Sequence, residues 1–168
     1  MLFINTCQIE GMSIQRAGRL IIALIIPQLA GLAGSVFTAP AVQSWYAGLN
    51  RPWFVPPNWV FAPAWTTLFL LMGLALFLVW EKKGGLGLKG DYLPFWVQLG
   101  LNILWSALFF GMRSPLLGLV EIAFLWVAIA VNIVVFWRVR RAAGWLLVPY
   151  IVWVSFAAVL NYNVWLLN

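Results

Sequence analysis

The chain has 168 residues, of which 64% are hydrophobic and only 8% charged, with a mean hydropathy of +0.96 and a net charge of +6. That composition lies far from any ordinary soluble domain and describes an integral membrane protein. With no histidine and a single cysteine, Cys7, it excludes structural zinc, a His-ligated haem iron, a Ser-His-Asp triad and a disulfide within one chain.

Residues 1–11 show no amphipathic pattern and precede a second methionine, Met12, so they are assigned no role. Arg16 and Arg19 then lead into an uncharged run from Leu20 to Trp45. A cleaved leader is the competing reading of this span, but its apolar stretch exceeds the roughly 7 to 15 residues of a signal-peptide core, so the helix is expected to stay. Further runs cover Pro52 to Trp80, Tyr92 to Met112 and Ala142 to Asn168, while Ser114 to Trp137 is broken only by Glu121. Each reaches the roughly 20 residues a spanning helix needs, and none alternates as a barrel strand would. The fold expected is all-α: a short N-terminal segment 1–18, then a domain over 19–168 with five transmembrane helices at about 19–38, 59–80, 92–112, 115–137 and 144–166.

Between the first two helices, a connector over about 39–58 is rich in aromatic residues and prolines, including Pro52, Pro56 and Pro57. Proline fixes φ and lowers the entropy lost on ordering, so this loop reads as a stiff lid over a pocket. Basic residues set the orientation. Arg16, Arg19, Lys82, Lys83, Lys89, Arg138, Arg140 and Arg141 share the N-terminal side, and only Arg51 and Arg113 lie opposite. By the positive-inside rule the N-terminus is cytoplasmic, the C-terminus outside and the lid outside. The charge therefore serves topology and contact with anionic lipid, with no soluble basic face for nucleic acid. The Gly84-Gly85 and Gly87 stretch reads as a turn in an inner loop.

Glu121 falls roughly 9 Å along the fourth helix from its outer end. It is expected to face a watery cavity, to pair with Arg51 or Arg113, or simply to reach the outer headgroups. A lone acidic group provides no relay for a proton-coupled pump. Of twelve tryptophans, Trp45, Trp53, Trp59 and Trp165 fit an outer interfacial belt and Trp80, Trp96, Trp137 and Trp145 an inner one. Trp65, Trp105, Trp126 and Trp153 remain at depth, where an indole N–H benefits from a partner. Helical spacing aligns Phe61, Trp65 and Phe69; Gln98, Asn102, Trp105 and Phe109; and Trp153, Ala157, Leu160 and Asn161. Amides beside indoles suit an apolar ligand carrying a carbonyl, yet the same groups could serve only as interhelical glue. On the first helix, Gly31 and Ser35 form a small-xxx-small pattern, read as packing within the bundle rather than dimerisation.

Three segments carry a resemblance: Trp45-Tyr46 through Leu49, Arg51-Pro52, Pro56-Pro57 and Trp65; Asn102-x-x-Trp105 with Phe109-Phe110-Gly111; and Pro149-Tyr150-x-x-Trp153-x-x-Phe156-Ala157-x-x-Leu160-Asn161-Tyr162-x-x-Trp165. In this order and spacing the chain resembles the tryptophan-rich sensory protein and translocator protein (TspO/MBR) family. The resemblance implies a five-helix bundle whose first outer loop closes a cavity for porphyrins and other hydrophobic ligands, with no required cofactor or metal and no catalytic residue. It places the pocket on Trp65, Asn102, Trp105, Trp153, Ala157 and Leu160, and the lid on Tyr46, Pro52 and Phe54. It also implies a homodimer, with tetrapyrrole, sterol or membrane lipid as candidate partners. Leu166 stands where animal members have arginine, so a sterol motif ending in a basic residue cannot close after Tyr162. This favours a bacterial porphyrin-related receptor or transporter-like role in the inner membrane. The alternatives are a light-dependent porphyrin-degrading enzyme and a sensor acting through a membrane partner.

Overall fold

The computed structural model describes residues 14–168; Cys7 and the 1–11 segment lie outside the described residues. The described chain is helical and carries five segments long and apolar enough to cross a bilayer. These are α1 (Ile14–Val42), α2 (Asn58–Lys83), α3 (Leu93–Ser106), continued by a π-helical turn over Ala107–Gly111, α4 (Pro115–Val139), and a last span divided into α5 (Arg141–Leu146) and α6 (Val148–Leu167). The protein is an integral, multi-pass membrane protein.

The second and fourth helices run two or three residues past their expected ends, to Lys83 and Val139, and the other three spans differ from the sequence expectation for local reasons. The first helix runs past both ends of 19–38: Arg16 and Arg19 continue it on one side, where both bond Glu81 of α2 at 3.0 and 3.3 Å. The third span does not stay α-helical, because its last five residues widen into the π turn. The fifth breaks at Leu147, whose N–H bonds back to Gly144 before Pro149 opens α6 within its first turn. Proline there lacks an N–H and tolerates only the first turn of a helix.

Around the bundle, α1 packs on α2 and α3, α3 on α4, and α4 on both α5 and α6, while α2 closes the ring against α5. Antiparallel neighbours gather the eight basic residues at one end, the basic end; the 43–57 connector and the tight 112–114 turn mark the other, the connector end. In that tight turn Arg113 takes a left-handed φ of 53°, and Ser114 caps α4 by accepting the N–H of Leu117 ahead of Pro115. At the basic end Gly84, with φ 74°, stops α2 in the conformation that glycine adopts most readily. Lys83 then pairs with Asp91, and Tyr92 and Trp96 donate to the carbonyls of Gly85 and Gly87.

The core of the basic half is filled. Met72, Ala75, Leu76 and Val79 of α2 are fully buried against Phe95 of α3 and Ile129 and Phe136 of α4, with Phe95 and Phe136 stacked at 5.9 Å. Contact between α1 and α2 is equally close here. A Cβ added to Gly73 would lie 2.7 Å from the Ala23 carbonyl oxygen and from the Leu24 Cα.

Candidate functional site

In the connector half the same helices enclose a cavity of about 530 Å³, a volume typical of small-molecule sites. Its presence follows from how α1 leans. Gly34 sits against Ser106 of α3, and Phe37 lies over Gly111 in the π turn, so the connector half of α1 rests on α3. Meanwhile α2 is held to the last span through α5, at the basic end, and across the gap to α6 it is bridged by rings: Phe61 meets Trp153 edge-on at 6.0 Å, and Trp65 meets Tyr150 at 6.2 Å. The space left between is the cavity.

All six residues expected in the pocket, Trp65, Asn102, Trp105, Trp153, Ala157 and Leu160, line this cavity. Their polar atoms are held by a short network. Asn102 Nδ2 donates to the Tyr150 hydroxyl at 3.0 Å, and Tyr150 is itself buried behind the wall. Trp105 Nε1 donates to Asn161 Oδ1 at 3.3 Å, and Asn161 Nδ2 donates to the Pro115 carbonyl at 2.7 Å. Asn161 thus fixes one indole while anchoring the start of α4. Among the described residues the indole N–H groups with a protein acceptor are those of Trp96, Trp105 and Trp126. Trp65 and Trp153 keep theirs free at the cavity wall, two donors available to a carbonyl- or carboxylate-bearing guest.

The π turn shapes the upper wall. Its wider winding lets consecutive rings, Phe109 and Phe110, both meet Trp105, at 5.0 and 5.7 Å, and both meet Tyr46, at 6.2 and 5.7 Å. Tyr46 is the roof. It is buried, its phenol is pushed above the usual tyrosine range by that burial, and Arg51, stacked over the ring at 5.5 Å, pulls partly the other way. Of the three lid residues expected, only Tyr46 lines the cavity. Phe54 packs edge-on against Phe156 of α6, and Pro52 is half-buried beside it. Both stiffen the roof rather than touch the space beneath it, because the prolines carry the connector across toward α6.

Other expectations are corrected. Glu121 reaches neither headgroups nor Arg51 nor Arg113: it is 4% exposed, and neither carboxylate oxygen has a hydrogen-bond partner. Nor does it line the cavity, since α4 directs it into the packed side of the bundle. Trp126, placed at depth by the helix limits, has the partner expected of an indole there, donating to Ser155 at 2.9 Å, but at 42% exposure it stands on the outer face of the bundle, outside the cavity lining. Trp45, assigned to the outer belt, lies at the connector end, half-buried and edge-on to Phe109 at 5.6 Å. Gln98 shares the helix face of Asn102, yet lies too deep for the cavity and contacts Met72 Sδ at 3.6 Å. The small residues of α1 do pack within the bundle: a Cβ on Gly31 would collide with the Phe69 ring. They also form a cavity wall that sequence reasoning missed, with Gln28, Ser35 and Thr38 beside them. The only signal was their spacing along one helical face.

A sequence profile of the TspO/MBR family matches residues 23–166. The chain belongs to this family. It is 47% identical over 152 residues to the "Tryptophan-rich protein TspO" of Archaeoglobus fulgidus, covering 88% of this chain and 96% of that protein. With the "Tryptophan-rich protein TspO" of Chlorobaculum tepidum it shares 46% identity over 142 residues, covering 82% and 88%. The human "Translocator protein" is 38% identical over 144 residues, covering 84% and 85%. The matches cover most of each chain in all three relatives.

Proposed function

We propose that this TspO/MBR-family protein binds tetrapyrroles such as protoporphyrin in the connector-half cavity and acts as a receptor or transporter-like protein with a regulatory, stress-sensing role. In this reading the basic end faces the cytosol, the cavity lies in the outer leaflet of a bacterial inner membrane, and the working unit is a homodimer. The observation that carries it is the cavity itself: about 530 Å³ walled by Trp65, Trp105 and Trp153, with two indole N–H donors unclaimed. A flat aromatic macrocycle stacks on such rings, and its carboxylates accept from such donors. Burial of its apolar faces contributes about 25 cal/mol per Å², less the cost of ordering. Relatives named "Tryptophan-rich sensory protein" and "Translocator protein" support a sensing or transport role.

Quenching of tryptophan fluorescence by protoporphyrin tests the reading. Trp65→Phe and Trp153→Phe, each shrinking the indole to a phenyl ring and removing its N–H donor, are expected to weaken binding by about tenfold each, the effect of roughly 1.4 kcal/mol. Unchanged affinity in both variants would reject this site.

A further inference from the structure

The cavity has two boundaries through which a guest could pass, and they are built differently. The roof is fastened. Asn50 donates its backbone N–H to Asn168 Oδ1 at 3.0 Å and its side-chain amide to the Leu167 carbonyl at 3.3 Å, while Asn168 Nδ2 donates back to the Asn50 carbonyl at 3.0 Å. Arg51 over Tyr46 and Phe54 against Phe156 add ring contacts to this latch. The connector is thereby tied to the end of α6, and its prolines leave it little freedom to swing.

The seam between α1 and α2 is different. From the basic end it is closed by Arg16 and Arg19 on Glu81, by Ala23 against Gly73 and by Gly31 against Phe69, and its last tie is Gln28 Nε2 to the Thr66 carbonyl at 3.1 Å. Beyond that bond the α1 contacts turn to α3, at Gly34 with Ser106 and Phe37 with Gly111. The facing residues of this stretch, Leu32 and Ser35 on α1 and Ala62 and Thr66 on α2, line the cavity and yet are exposed on the outside of the bundle, Leu32 at 65%. A residue that both lines a cavity and faces the surroundings marks an aperture. On a bundle that spans a bilayer, those surroundings are acyl chains.

We propose that the α1/α2 seam above Gln28 is a lateral portal, through which apolar guests already dissolved in the bilayer enter the cavity beneath a roof that stays closed. The guest class follows from the rim: a largely apolar, membrane-partitioning molecule whose few polar groups pass the hydroxyls of Ser35 and Thr66, rather than a water-borne anion. This rests on the ligand-binding reading above, and the experiment separates the two.

Protein reconstituted in phosphatidylcholine vesicles is mixed with vesicles carrying protoporphyrin, and association and dissociation are followed by tryptophan quenching. Ser35→Phe and Ala62→Phe place bulk in the aperture from opposite sides, and Ser35→Leu is a milder version. Slowing of both rates by about tenfold or more, so that each rate changes far more than the equilibrium affinity does, is the expected result. The double variant Asn50→Ala/Asn168→Ala, which removes all three latch bonds and so unfastens the roof, should leave both rates unchanged. Unchanged rates in the seam variants, or faster exchange in Asn50→Ala/Asn168→Ala, would overturn the portal while leaving the cavity reading intact. Loss of equilibrium binding in all three seam variants would put those side chains in the guest's seat rather than its path, and would overturn it equally. Failure of the cavity reading shows itself elsewhere, as unchanged affinity in Trp65→Phe and Trp153→Phe.

Discussion

The two halves of this bundle are made from the same helices, yet one is solid and the other hollow. In the basic half, small and aliphatic residues of α2 pack with the Phe95–Phe136 stack, and the side chains of Met72, Ala75, Leu76 and Val79 are fully buried. In the connector half large rings take over, α1 shifts its contacts to α3, and Trp65, Trp105 and Trp153 stand around a space rather than filling one. Rigid rings pack edge-on or stacked and hold their neighbours about 5 to 6 Å apart between centroids, which lets them wall a cavity without collapsing into it. Stability and binding are thus divided along the helix axes. With lipid as apolar as the core, van der Waals packing in the solid half has to hold the bundle together.

That division can be broken most severely from the solid half. Phe136→Ala should cost about 3 to 5 kcal/mol, because a fully buried ring is deleted from close-packed surroundings, and should leave little folded protein in a thermal unfolding assay. At the boundary, Asn161→Leu leaves the Trp105 N–H without its acceptor and removes the amide tie to the Pro115 carbonyl. A loss of about 1 to 2 kcal/mol is expected, near the upper range for polar contacts in membranes, with a shift in Trp105 emission that a purely structural defect elsewhere would not give.

Much of the architecture was legible in the sequence, since five uncharged runs leave few ways to satisfy a backbone in lipid. The pocket residues were legible too, because Trp65, Asn102, Trp105 and Trp153 combine depth with a polar tip. The rest was hidden for physical reasons. Nothing in Ala107–Gly111 announces a π turn, since one extra residue per turn is decided by what Phe109 and Phe110 meet across the bundle. The α1 wall is made of glycine, serine and threonine, whose importance lies in the space they leave. Glu121 misled because counting residues from a helix end gives depth but not direction. The roles of Pro52 and Phe54 depend on the connector crossing to α6, a tertiary fact fixed by Asn50 and Asn168.

The same substitution made once in each half tests the central claim most directly. Ala75 is fully buried among α2, α3 and α4 neighbours, whereas Ala157 borders the cavity. Thermal unfolding and protoporphyrin affinity would be measured for Ala75→Leu and Ala157→Leu. The account predicts that Ala75→Leu lowers the unfolding midpoint by several degrees, as overpacking by about 1 to 3 kcal/mol implies, and leaves the affinity of the remaining folded protein intact. Ala157→Leu should keep the midpoint within about 2 °C and weaken binding by about tenfold or more. Equal destabilisation by the two, with affinity unchanged by Ala157→Leu, would contradict a hollow, ligand-holding half.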